Sequence, residues 1–116
     1  MTVKKKGTAS RGRFSPLSPS SSGETAEELC RTGAFRVEWI VSHGTSSPAS
    51  FWYDQKEDEW VAVFSGEGTL EFEDGSQETL KEGDWIFLPA HLRHRVAFTT
   101  KEPPCVWLAV FGSKTE

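Results

Sequence analysis

The stretch Gly83-Asp84-Trp85-Ile86-Phe87-Leu88-Pro89-Ala90-His91-Leu92-Arg93-His94-Arg95 decides the fold. A Gly-Asp turn opens into four apolar residues, too few for a helix and rich in the aromatic and branched side chains that suit strands. Pro89 cannot donate to a β-ladder, so the strand ends there. Two histidines follow at i and i+3. The segment therefore delivers an imidazole, His94, to the end of a strand in a β-rich protein.

Working outward, the same grammar repeats. Phe35, Val37, Trp39 and Val41 alternate with Arg36, Glu38, Ile40 and Ser42, a period of two that predicts a strand. Gly44 to Ser50 reads as a loop, Phe51 to Gln55 as a short strand, and Lys56-Glu57-Asp58 as a polar corner. Trp60 to Phe64 is apolar on both faces, which predicts a strand covered on both sides. Ser65-Gly66-Glu67-Gly68 breaks it with a turn or bulge. Thr69 to Phe72 and Gln77 to Leu80 flank the hairpin signal Asp74-Gly75. Arg95 to Thr99 and Val106 to Phe111 are the last strands, separated by Pro103-Pro104. About eight short strands at close turn spacing predict an all-β sandwich or barrel, and no βαβ alternation is present. Before these strands, Thr25 can cap a short helical turn, with Glu27 and Glu28 in it and Gly33 ending it after Cys30 and Arg31.

The 116 residues suffice for one small domain with a core. Residues 1–23 are rich in Ser, Pro, Gly and Lys and bury too little apolar surface to offset ordering entropy, so the expectation is a disordered basic tail followed by a domain over 24–116. The composition of this head also fits an organelle transit peptide loosely, while the lack of an apolar stretch argues against a secretory signal. The tail carries Lys4, Lys5, Lys6, Arg11 and Arg13 and no acids, whereas the rest holds seventeen acids against eight bases. An acidic body argues against nucleic acid as partner. No apolar run is long enough to span a bilayer. Cys30 and Cys105 are far apart and form no CxxC, which fits a reducing, cytoplasmic setting. No P-loop, GxSxG or GxGxxG is present.

The residues that could carry chemistry lie in two clusters. Glu59 is followed by six residues and then Gly66; Gly83, Pro89 and His94 stand at their own fixed spacing. Together they resemble the two motifs of the cupin family, G-x5-H-x-H-x3-4-E-x6-G and G-x5-P-x-G-x2-H-x3-N. Both first-motif histidines are replaced, by Tyr53 and Gln55 on the shorter spacer or by Trp52 and Asp54 on the longer. In the second motif His91 replaces the inner glycine and Phe98 the final asparagine. From about Glu24 to Phe111 the chain looks like a compact single-domain cupin, similar to the bacterial-type subgroup with FWYDQ-x-x-DEW and IPAHxxHRV. The resemblance implies a small RmlC-like jelly-roll barrel whose site residues converge inside it. It implies metal candidates Glu59, His94, Gln55 and Tyr53, holding one divalent Fe, Mn, Ni, Cu or Zn ion or none. It implies a ligand pocket of Tyr53, Gln55, Glu59 and His94; His91, three residues before His94 on a loop, could join that pocket or point to the barrel mouth or to solvent.

In a barrel strand alternate side chains point inward, so Tyr53 and Gln55 share a face. The same polar groups could instead satisfy one another without a metal. Asp84 reads as a turn residue, Arg93 and Arg95 as surface residues or an anion clamp, and His43 as an isolated histidine. The functional expectations are a small-molecule or metal-binding cupin, acting as an oxygenase or isomerase if it is an enzyme. The alternatives are a metal-free ligand-binding or sensor cupin and a structural module that forms a homodimer.

Overall fold

The alternation of apolar and polar residues builds eight strands and two sheets, and the computed structural model describes residues 9–14 and 23–113. The strands are β1 Gly23–Arg31, β2 Phe35–His43, β3 Glu57–Ser65, β4 Glu67–Phe72, β5 Gln77–Lys81, β6 Trp85–Leu88, β7 His94–Thr99 and β8 Cys105–Ser113. All neighbours pair antiparallel, in a five-stranded sheet β1-β2-β8-β3-β6 and a three-stranded sheet β5-β4-β7. This is the expected all-β, jelly-roll-like architecture, and among the described residues no helix is long and apolar enough to cross a membrane.

The core lies between the sheets. Val61 and Val63 of β3, Leu70 of β4, Leu88 of β6 and Cys105, Trp107, Ala109 and Phe111 of β8 form one buried cluster. The spacing of two along β3 and β8 is the pleat: every second residue faces inward. Trp39 and Val41 of β2 and Val106 of β8, with Leu108 packed against them, form a second cluster on the outer side. The ring of Phe14 stacks there on Trp39, 3.8 Å between centroids. The strand β3 is not covered on both sides as its composition suggests: Phe64 is 49% exposed, edge-on to Trp39, and Trp85 and Phe87 of the neighbouring edge strand β6 are exposed as well.

Two further expectations are corrected. Thr25 to Arg31 is a strand, not a helical turn, because Glu24 to Glu28 pair residue by residue with Ser42 to Glu38 of β2. An isolated helix of that length is marginal, whereas an open sheet edge supplies ladder hydrogen bonds to any extended chain. Phe51 to Gln55 is not a strand. Only Tyr53 bridges, exchanging backbone hydrogen bonds with His94 at 2.7 and 3.2 Å. The chain turns before it, with the Phe51 N–H on the Pro48 carbonyl, and the Gln55 carbonyl is taken by the His91 N–H. The strand number is thus as expected, with β1 in place of Phe51–Gln55. Of the expected tail, residues 1–8 and 15–22 lie outside the described residues, and Gly23 already belongs to β1.

One buried polar contact ties β2 to β8. The Trp107 indole N–H donates to the Ser42 hydroxyl at 3.1 Å, and Ser42 is 1% exposed. Ser42→Ala removes the acceptor and leaves a buried donor unmet, so a loss of about 1–3 kcal/mol is expected. Urea unfolding followed by tryptophan fluorescence reads it, and an unchanged midpoint would show that water replaces the hydroxyl.

Candidate functional site

A cavity of about 230 Å³ opens between the sheets, and its wall includes Tyr53, Gln55, Glu59 and His94. Each arrives by a different device. Glu59 is an inward position of β3, two residues before Val61, paired across the sheet with Leu88 and Phe111. His94 starts β7 after the Pro89 turn, which Asp58 fixes by accepting the Ala90 N–H at 2.8 Å. Tyr53 is held by its backbone pair with His94, and the two rings stack at 5.3 Å. Gln55 follows on the same face, its carbonyl anchored by the His91 N–H.

Electrostatics set the protonation states. The Glu59 carboxyl is pushed up to about 7 from 4.5, mainly by burial, then by the Glu38 charge; Arg36 works against this and Glu57 adds to it. Burial holds His94 below its ordinary value, partly offset by its bond to the Leu92 carbonyl. Burial, with Glu24 and Glu59, raises Tyr53, so its phenol keeps its proton at neutral pH. His94 donates from Nδ1 to the Leu92 carbonyl at 2.9 Å, which places its free lone pair on Nε2. That Nε2 stands 3.9 Å from Glu59 Oε1. The separation exceeds a hydrogen bond, and burial disfavours the charged form of both partners, so they are not an ion pair. Such an arrangement holds a proton-accepting nitrogen and a carboxyl balanced between its two states on either side of a small gap.

His91 is not in the cavity wall. It sits on the outside of the turn, Nδ1 on Asp54 Oδ1 at 2.7 Å, with a backbone φ of 67°. The backbone there is left-handed, a conformation glycine adopts most readily, and the side chain is directed to the surface pair with Asp54. Asp54 therefore faces outward too, and the register that brings Tyr53 and Gln55 inside is the shorter spacer. Asp84 accepts the Lys81 N–H at 2.8 Å as a turn residue. Arg93 pairs with Glu73 and Arg95 with Glu71, and neither lines the cavity. His43 is also absent from the wall.

Sequence reasoning missed the charged wall on β1 and β2. Glu24, Arg36 and Glu38 line the cavity, with Glu24 at its solvent-exposed end. Arg36 pairs with Glu38, bonds Glu57 at 2.7 Å and lies 4.0 Å over the Phe111 ring. The signal was present: Arg36 and Glu38 occupy alternate positions of a strand whose other face is apolar, and it is that apolar face which lies outside.

A transition metal, which the fold family implies, would need three or four strong donors. Glu59 and His94 supply two, and the Nε2 orientation of His94 suits a ligand. Tyr53 remains a protonated phenol and Gln55 offers only a neutral carbonyl or amide. Among the described residues no three His, Cys, Asp or Glu side chains gather into a metal-sized group. The donor set does not fit a four-ligand centre.

Comparison with known proteins agrees with the fold. A putative mannose-6-phosphate isomerase from Ralstonia eutropha is 38% identical, with a TM-score of 0.84 over 91% of this chain and 100% of its own. An RmlC-like cupin from Shewanella frigidimarina (18% identity, TM-score 0.66) matches 83% of this chain and 81% of its own. A cupin superfamily protein from Desulfitobacterium hafniense (15% identity, TM-score 0.71) matches 90% and 94%. These last two likenesses are of fold alone. No curated protein matches. The cupin domain family matches residues 37–111, which span the cavity from the β2 wall through Glu59 and His94 to Phe111, and the chain belongs to that family.

Proposed function

We propose that this cupin binds a small polar molecule in its barrel without a resident metal, with Glu59, His94 and Tyr53 placed to exchange protons with it. The observation that carries the reading is the opposition of Glu59 Oε1 and His94 Nε2 across 3.9 Å inside the cavity, with no hydrogen bond closing the gap. A carboxyl and an imidazole that one shared burial keeps close to neutral, facing each other across a small gap, can give and take protons, as groups at proton-transfer sites do. If the protein is an enzyme, this chemistry supports isomerisation rather than oxygenation, since the donor set offers a poor seat for an oxygen-activating metal. The cavity is below the usual range for drug-sized ligands, which supports a small metabolite. The name of the Ralstonia eutropha protein suggests a phosphorylated hexose. The charges here do not favour one, because the cavity's one guanidinium, Arg36, is engaged by Glu38 and Glu57. The unpaired thiols of Cys30 and Cys105 support a reducing compartment.

The test combines elemental mass spectrometry on chelator-free protein with a thermal-shift screen of small polar metabolites. Substoichiometric metal, together with stabilising compounds whose effect disappears in His94→Ala, is the expected result. One equivalent of Fe, Mn, Ni, Cu or Zn, lost in that variant, would overturn the metal-free reading.

A further inference from the structure

We infer that the cavity selects a small organic cation, a molecule bearing an ammonium group, over neutral or anionic molecules of the same size. This rests on the reading of the cavity as a ligand pocket. Four charged side chains, Glu24, Arg36, Glu38 and Glu59, line it together with His94. Arg36 is committed: it pairs with Glu38 and Glu57 and stacks on Phe111. That leaves two carboxyls without a cationic partner, since the imidazole 3.9 Å from Glu59 is held neutral by burial. Glu24 receives only the Ser42 hydroxyl, at 3.3 Å. Glu59, 9% exposed, receives no hydrogen bond from any described residue.

A buried carboxyl without a donor is costly, and natural interiors leave few. A cation entering the cavity supplies the missing partner, where reduced dielectric strengthens the attraction. The walls suit the same guest. Tyr53 and Trp107 add aromatic rings to the wall, and aromatic rings attract cations; Phe111 already carries Arg36 on its face, which shows the same preference at work in this cavity. An anion would face two carboxyls without a cationic partner and a guanidinium already engaged, and it would hold Glu59 in its protonated form rather than gain from it.

The test uses the full chain and three probes: choline; its uncharged isostere, in which a carbon replaces the quaternary nitrogen; and inorganic phosphate. Calorimetry gives affinities, and the His94 ring resonances report entry to the cavity. Choline should move those resonances and bind about tenfold or more tighter than the isostere, the factor one net charge contact of modest strength provides. Glu59→Gln should lower choline affinity by about tenfold, and Glu24→Gln, an amide that still accepts the Ser42 hydroxyl, by a smaller factor in the same direction. Equal binding of the isostere, or tighter binding of phosphate, overturns the cation preference while the pocket reading stands. Choline affinity unchanged in both variants overturns the role given to the two carboxyls. If no probe moves the His94 resonances, both the preference and the pocket reading fall.

Discussion

Glu59→Gln should stabilise the protein above neutral pH, by about 3 kcal/mol, and leave it nearly unchanged in acid. The carboxyl titrates near 7 in the fold and at 4.5 when unperturbed, chiefly because burial penalises its charged form. Between these values the folded chain keeps a proton that the unfolded chain has released. The stability linked to that proton is fully present below 4.5 and is lost as the pH rises through about 7. A neutral amide of the same shape never carries the buried charge, so the variant escapes the loss. His94 has the opposite sign. Its lowered value means that stability is present above 6.5 and lost as the pH falls through the folded value. Because His94 is common to both proteins, its contribution largely cancels in their difference. Urea unfolding at several pH values checks this: the difference should grow in favour of the variant through the interval between the two Glu59 values. A variant less stable than the parent at alkaline pH would reveal a positive partner at Glu59, whether metal or bound cation.

That a charged glutamate could face inward came with the cupin resemblance and not from periodicity, because Trp60 to Phe64 is apolar at every position; in the fold Glu59, Val61 and Val63 share the inner face. The positions of Tyr53 and Gln55 on one face followed from the alternation of side chains along an extended chain, although their segment makes only one bridge rather than a strand. Pairing depends on what lies opposite, and Phe51 to Gln55 meets a turn on either side. The N-terminal edge was misread for the mirror-image reason. Thr25 followed by two glutamates is a fair helix start in isolation, but the open edge of β2 decides the matter, and that edge is invisible in local sequence.

The charged wall was legible in pattern but not in sense. On β2 the usual inference places Trp39 and Val41 inside and Arg36 and Glu38 outside. The fold inverts it, because the outer face of this sheet has its own apolar cover while the inner face opens onto a cavity. His91 shows another limit. Its distance from His94 along the chain suggested a second imidazole in the pocket, yet a left-handed backbone directs it to Asp54 at the surface. Side-chain direction at such a residue depends on a dihedral that spacing alone does not supply.

Gly66→Ala should be among the most damaging single-methyl additions in the chain, with an expected loss of about 3 kcal/mol or more. Two independent effects combine. Gly66 has a φ of 72°, the left-handed region that disfavours a side chain by about 1 kcal/mol or more. A methyl there would also lie 2.5 Å from the Pro104 carbonyl oxygen and from Thr100 Oγ1, and 2.9 Å from the Pro104 carbonyl carbon. The hydroxyl could swing aside, but the Pro104 backbone sits directly before β8, whose first residues, Cys105 and Val106, are fully buried. Moving it would disturb close-packed core, a change that typically costs about 1–3 kcal/mol. The loss is a large share of the roughly 5–15 kcal/mol that holds a domain of this kind together. Gly75→Ala separates the two effects: its φ is 92°, yet nothing lies within 4 Å of an added methyl. It should show the backbone penalty alone, so denaturant midpoints ordered parent, Gly75→Ala, Gly66→Ala are expected. Equal midpoints for the two variants would mean that the Pro104 segment yields freely. The expected order instead assigns the glycine of the Glu59-to-Gly66 spacing a structural task. It lets the turn after β3 press against the backbone leading into β8, and so fixes the strand that carries Glu59 against the strand that carries Trp107 and Phe111.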